Sequence, residues 1–403
     1  MEVISTGCIV APKGFQTGTA YCGIKTLKDS FDLGIILSEF PATGAALFTT
    51  NQIYAAPVKL SRKTVQKGRI RAVVVNSGNA NACTGEQGYK DAEEMVRITG
   101  KCLKISEDEI LVASTGIIGR PLPMDKVAAG ISIATASLGN TPAHGNNMAR
   151  AIMTTDTKQK DIAVRLKISN KEVIVGGITK GAGMIAPNLA TMLCFLTTDA
   201  SIPFPILNDC LRNAVESSFN RITIDGHTST NDTIAIIANG ASGVNITSNS
   251  RELQEFQQGL NYVAGYLAKA IVKDGEGATK FIQIDVTGAG SRSDAAKIAR
   301  SIADSPLVKT AINGEDPNWG RIVSAAGYAG VKLDESTTSL FINDILIFTK
   351  GMPTSCDLNK LSAVMKSTDI NIHLELGLGD CRDTIWTCDL SHEYVTINAE
   401  YHT

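Results

Sequence analysis

Arg71–Gly116 reads RAVVVNSGNANACTGEQGYKDAEEMVRITGKCLKISEDEILVASTG, and the succession of patterns within it decides the fold class. Arg71 to Val75 is a β-branched run bounded by polar residues, which predicts a buried strand. Asn76-Ser77-Gly78-Asn79-Ala80-Asn81 follows, a cluster of turn formers, and predicts a loop at that strand's end. Ala92, Met95, Val96, Thr99 and Leu103 then fall on one face of a helix. Ile110 to Ala113 reads as a second strand, ended by Ser114-Thr115-Gly116. Strand, helix and strand in so short a segment predict a mixed α/β protein.

The same alternation continues outward. Val173-Ile174-Val175 reads as a strand, which passes through Gly176-Gly177 into the polar stretch Lys180 to Asn188. A further strand is expected to begin at Thr191. Helical spacing returns at Leu207, Leu211, Ala214 and Val215. It returns again from Leu253 to Ile271, where Lys273-Asp274-Gly275 supplies a stop signal. Beyond the strand-like Phe281 to Val286 come a helix around Ala295 to Ile302 and later strands such as Leu340 to Phe348. A domain boundary is expected near residue 280, dividing a main α/β domain, 1–280, from a smaller C-terminal α/β domain, 281–403. With 36 glycines and 5% aromatic residues, tight turns and close backbone approaches should matter more than aromatic packing.

Composition excludes several classes of function. A net charge of -2 lacks the basic excess that a phosphate backbone would attract, so no nucleic-acid partner is expected. The 9 cysteines include no C-x-x-C pair and no Cys/His cluster at zinc spacing, which suggests reduced thiols in a cytoplasmic protein. No apolar run approaches the length of a membrane span and no signal-peptide pattern opens the chain, so no membrane partner is expected. Neither phosphate-cradling glycine loop occurs, nor an H-E-x-x-H, nor a G-x-S-x-G elbow. A catalytic triad assembled in space stays open.

Lys180–Ala200, KGAGMIAPNLATMLCFLTTDA, carries the chemistry. A Gly/Pro-rich loop leads straight into Ala190-Thr191 and a β-rich run, which is what self-cleavage to an N-terminal threonine requires. The hydroxyl of Thr191 could attack the small, accessible carbonyl of Ala190 if the junction holds the backbone under strain. The amine so released has an ordinary pKa of about 7.7 to 8.0 and can deprotonate its own hydroxyl, so that one residue supplies nucleophile and base. Read from the pattern alone, Thr191 is an ordinary strand threonine, and Thr115-Gly116 is as readily a plain turn as a pair of donors.

The chain resembles the ornithine acetyltransferase family (glutamate N-acetyltransferase, the ArgJ proteins) along nearly its whole length. The resemblance rests on Lys180-Gly181 with Gly183-Met184-Ile185, then Pro187-Asn188 and Ala190-Thr191-Met192-Leu193. It rests also on Val75–Gly85, Ser114–Gly119, Met153–Thr157, Ser229–Thr233, Gly314–Arg321 and the ending Asn398–Thr403. Two departures are Ala182, where serine is usual, and His227, where an acid is expected.

The resemblance implies cleavage between Ala190 and Thr191 into an α chain, 1–190, and a β chain, 191–403, with paired αβ units (α2β2). It implies an N-terminal-nucleophile-like body of stacked sheets with flanking helices, plus the smaller C-terminal domain. Thr191 would be the nucleophile, Thr115 and Gly116 the oxyanion hole, and Thr154, Lys180, Thr191, Glu276, Asn398 and Thr403 the substrate contacts. Between Thr154 and Thr155 the choice is open, because adjacent residues would face opposite ways in a strand. The implied reaction carries acetyl from N2-acetyl-L-ornithine to L-glutamate through acetyl-Thr191, with no metal or organic cofactor; acetyl-CoA is a further candidate donor. The alternatives are a hydrolytic aminopeptidase or amidase of the same architecture and an uncleaved ligand-binding relative. The C-terminus, Asn398 to Thr403, is expected to line the site.

Overall fold

The strand expected at Arg71 outlasts its β-branched run. The computed structural model, which describes residues 1–25, 30–186 and 192–400, extends it over Ala72–Asn79. Asn76 and Ser77 do not break the strand because their side chains are buried with partners. Asn76 Oδ1 accepts from Ser114 Oγ at 2.6 Å, its Nδ2 donates to Asn79 O at 2.9 Å, and Ser77 Oγ donates to Ala151 O. The second strand likewise runs past its expected end, over Ile110–Ile117, so Ser114-Thr115-Gly116 is strand and not a terminating turn. The two are parallel, with Val75 opposite Ala113, Ser77 opposite Thr115 and Gly78 opposite Gly116. The helix Gly85–Leu103 is the crossover between them, completing a βαβ unit.

These strands close one edge of a four-stranded sheet, in the order Phe15–Ala20, Leu33–Ser38, Ala72–Asn79, Ile110–Ile117. A six-stranded sheet among the described residues has the order Glu2–Val3, Lys160–Ile168, Lys171–Lys180, Leu193–Thr198, Thr233–Ala238, Thr43–Phe48. Their inner faces share one core: Phe15, Ile36, Val73 and Val75 from the first pack with Phe48, Ile178, Phe195 and Ile237 from the second. Each such side chain, fully buried, contributes about 1.5–3 kcal/mol. The outer face of the smaller sheet, with Val74, Ile110 and Val112, is covered by Ala92, Met95 and Val96 of one helix and Val127, Ile131 and Ala134 of another. On the larger sheet, Gly177 leaves room for Leu267 of the helix Arg251–Lys273; a Cβ there would lie 3.0 Å from that side chain. Gly176-Gly177 therefore does not interrupt its strand, which runs over Lys171–Lys180. The result is an α/β body of two stacked sheets with flanking helices.

The chain divides into two units, Met1–Asn220 with His227–Ile271, and Arg221–Gly226 with Val272 onward. The second, smaller unit has its own α/β core. Ile282, Ile284 and Val286 pack with Ile298 and Ile302, and with Leu340, Ile372 and Leu374 of neighbouring strands. Its six described strands lie in the order Met352–Pro353, Ile345–Thr349, Ser339–Ile342, Asp369–Glu375, Phe281–Ala289, Cys381–Cys388. The stretch Leu340 to Phe348 is thus a hairpin, turning at Asn343, whose φ is +48°. Among the described residues no helix is long and apolar enough to cross a membrane.

Candidate functional site

Gly116 has φ +130°, and a Cβ built on it would lie 2.4 Å from the carbonyl carbon of Gly78 and 2.5 Å from the nitrogen of Asn79. Only glycine lets the parallel strands meet so closely at this point. The register shifts immediately afterwards, at Asn79. Asn231 braces the same place from another segment: its Nδ2 donates to Ala80 O at 2.6 Å and to Ser114 O at 2.8 Å, while its Oδ1 accepts from Thr230 Oγ1. Thr115 is thereby held on a strand end fixed from both sides.

Lys180, at the end of its own strand, donates from Nζ to Thr115 Oγ1 at 3.3 Å, and both residues are buried. The hydroxyl accepts this bond and keeps its proton to donate elsewhere. Next to Lys180, Gly181 N–H donates to Asp156 Oδ1 at 2.7 Å, and Lys160 Nζ donates to the same oxygen at 2.6 Å. The other oxygen, Oδ2, accepts from Thr154 N–H at 3.0 Å. Burial pushes the Asp156 carboxyl up, but the Lys180 and Lys160 charges and the Gly181 N–H outweigh it and hold it down at about 2. Thr154 and Thr155 lie in bends, so strand alternation does not govern which way they face.

A second buried carboxyl lies in the same unit. Asp232 Oδ1 accepts from Met192 N–H at 2.9 Å, and Oδ2 is outside hydrogen-bond geometry with any described residue. Burial pushes this carboxyl well above the usual range, against the Met192 N–H, the Lys180 charge and the nearby Thr49 and Ser229 hydroxyls. Lys25, whose backbone borders Gly78, is pushed down to about 8 by burial, against the pull of Asp32.

In the smaller unit, Glu276 and Asn398 are brought together: Asn398 Nδ2 donates to Glu276 Oε2 at 2.8 Å. Asn398 lies in the last turn of the helix His392–Glu400 and also donates to Tyr394 O, one turn back. Gly277, with φ +68°, lets the Glu276 turn approach this helix; a Cβ there would lie 2.5 Å from Tyr394 N. Tyr394 Oη donates to Asp225 Oδ2 at 3.3 Å, and burial, then the Asp225 charge, pushes the phenol up. This cluster offers anionic oxygens where the first offers ammonium and hydroxyl donors.

Residues 16–403 match the model of the ArgJ family. An arginine biosynthesis bifunctional protein ArgJ of Dehalococcoides mccartyi is 46% identical over 405 residues, covering 100% of this chain and 99% of that protein. A glutamate N-acetyltransferase of Methanocaldococcus jannaschii is 46% identical over 417 residues, covering 100% of both. A solved structure of ornithine acetyltransferase from Mycobacterium tuberculosis, complexed with ornithine, is 37% identical with a TM-score of 0.44, covering 47% of this chain and 99% of that one. The chain belongs to the ArgJ family. It is an acyltransferase enzyme of arginine biosynthesis.

Of the site residues that resemblance to the ArgJ family implies, Thr115, Gly116, Thr154 and Lys180 fall in the larger unit and Glu276 and Asn398 in the smaller. Ala190, Thr191 and Thr403 lie outside the described residues. Asp156, Asn231 and Asp232 stand inside family words, Met153–Thr157 and Ser229–Thr233, but the resemblance implies no role for these three residues. Their signal was a charged or amide residue among small hydroxyl residues, a composition that suits a buried polar joint but does not say what it joins. Among the described residues no group of three or more His, Cys, Asp or Glu could hold a metal ion.

Proposed function

We propose that the chain cleaves itself between Ala190 and Thr191 and then carries acetyl from N2-acetyl-L-ornithine to L-glutamate on Thr191. What supports this reading is the full-length similarity to the glutamate N-acetyltransferase and ArgJ relatives, with Ala190-Thr191 standing in the family word. The Thr191 hydroxyl attacks the Ala190 carbonyl, the peptide bond becomes an ester and the Thr191 amine is freed, and water then hydrolyses the ester to release the Ala190 carboxylate and the Thr191 hydroxyl. That amine then takes the hydroxyl proton as Thr191 attacks the acetyl group, and returns it to the departing ornithine nitrogen. Glutamate's amine attacks the acetyl ester in the second half of a ping-pong cycle. Thr115 and Gly116 supply donors to the oxyanion in each half. Lys180, Thr154, Glu276, Asn398 and Thr403 hold the two amino acids, whose carboxylates and ammonium groups call for donors and anions alike. The cleaved chains work as α2β2 in the cytoplasm.

Mass spectrometry of the purified protein with an acetyl-transfer assay tests the reading. Wild type should appear as two chains and transfer acetyl from acetylornithine to glutamate; an arm with acetyl-CoA as donor defines its donor range. Thr191→Ala should remain one chain and transfer nothing, and two fragments from it would overturn the assignment. Thr115→Ala should lower kcat about a hundredfold with little change in KM.

A further inference from the structure

We propose that Asp156 is a positioning residue for acetyl transfer, fixing Lys180 and Thr154 relative to Thr115 through a buried carboxylate. The assignment rests on the acetyltransferase reading above and adds a group that reading does not use.

The geometry is specific. Both oxygens are occupied: Oδ1 by Lys160 Nζ and Gly181 N–H, Oδ2 by Thr154 N–H. One of these donors is the backbone of a candidate substrate contact, and another is the backbone immediately after Lys180. Lys180 in turn reaches Thr115 Oγ1 at 3.3 Å. A single carboxylate therefore ties the Met153–Thr157 bends to the end of the Lys171–Lys180 strand, and that strand end to the threonine on the neighbouring sheet. Its side chain is wholly enclosed, and that of Lys160 is 2% exposed, so water cannot substitute for any of these partners. Its charge also acts on Lys180 directly, with Lys160 taking the ion-pair position. The remaining acceptor sites of the carboxylate are filled by the backbone at Thr154 and Gly181, so it holds those two segments as well as Lys160.

A double-mutant cycle between Asp156→Asn and Lys180→Met, read as kcat and as KM for acetylornithine, tests this. Asp156→Asn alone should reduce kcat/KM about tenfold or more, and in the Lys180→Met background it should cost less than about twofold further, since both act through one position. Equal losses in the two backgrounds would reduce Asp156 to a structural ion-pair partner. If Asp156→Asn does not fold, Asp156→Asn/Lys160→Met removes both members of the ion pair together. That variant should show the same loss and the same coupling to Lys180, whereas wild-type kcat/KM in it would overturn the proposal. A wild-type protein that transfers no acetyl from acetylornithine to glutamate overturns the acetyltransferase reading, and this assignment with it. An active wild type with an additive cycle overturns only the role of Asp156.

Discussion

Asp156 sits where two lysine ammonium groups and two backbone N–H groups converge, whereas only one backbone N–H, one lysine charge and two nearby hydroxyls oppose the burial of Asp232. Both are buried in the larger unit. The first is held down at about 2 and the second pushed well above the usual carboxylate range. Burial penalises the anion in both, so depth in the protein does not decide the charge. The number and charge of the donors aimed at the oxygens decide it. One carboxyl stays an anion down to about pH 2 and can anchor cations, and the other favours its neutral form, with one oxygen unengaged among the described residues.

Replacing the Asp156 side chain should have the largest effect, because the buried Lys160 ammonium would lose the carboxylate it is paired with. Asp156→Leu should cost about 3–5 kcal/mol in urea unfolding, and Asp156→Leu/Lys160→Met should recover most of it. If the single variant loses no more than a surface ion pair would, the contrast between the two carboxyls collapses.

The acid limb of stability sharpens the contrast. The folded-state pKa of Asp156 lies below its unfolded value of about 3.9, so its contribution is present above that value and is lost as pH falls towards about 2. Thermal unfolding of wild type should weaken over this window, and the Asp156→Leu/Lys160→Met variant should weaken less.

Asp232→Asn should have the smallest effect. The amide oxygen can still accept from Met192 N–H, and in acid a neutral side chain replaces a neutral one, so stability below the ordinary carboxylate range should stay within about 1 kcal/mol of wild type. The pH dependence has the opposite sign from that of Asp156. A raised folded-state pKa gives stability that is full below the ordinary carboxylate range and is lost as pH rises through the folded value. Asp232→Asn should therefore gain on wild type as pH rises. A loss as large as that of Asp156→Leu would show that Asp232 is an anion after all.

The elements built on hydrophobic period were legible in the chain. Phe204–Glu216 buries Leu207, Leu211, Ala214 and Val215 as expected, and Arg292–Ala303 contains the helix read around Ala295 to Ile302. The family words were legible too, because several occur in order across the whole length. What was not legible was polar residues acting as structure. Asn76 and Ser77 read as turn formers, yet continue a strand, because Ser114 and Ala151 engage their side chains across the fold. Local propensity contains no term for such partners. Asn231 stands within a family word, but that its amide reaches Ala80 and Ser114 depends on a tertiary pairing that no local pattern encodes.

The contact between Gly78 and Gly116 also limits how this protein can vary. Gly78 has φ +93°, and a Cβ there would press on Lys25, while one on Gly116 would press on Gly78 and Asn79. A side chain gained at either position cannot be compensated by shrinking the other, because neither has anything left to give up. The two positions form a mutational dead end, from which paired changes offer no escape. A library randomised at both and selected for acetyl transfer should return glycine twice, and any reshaping of this strand end must come from residues around it.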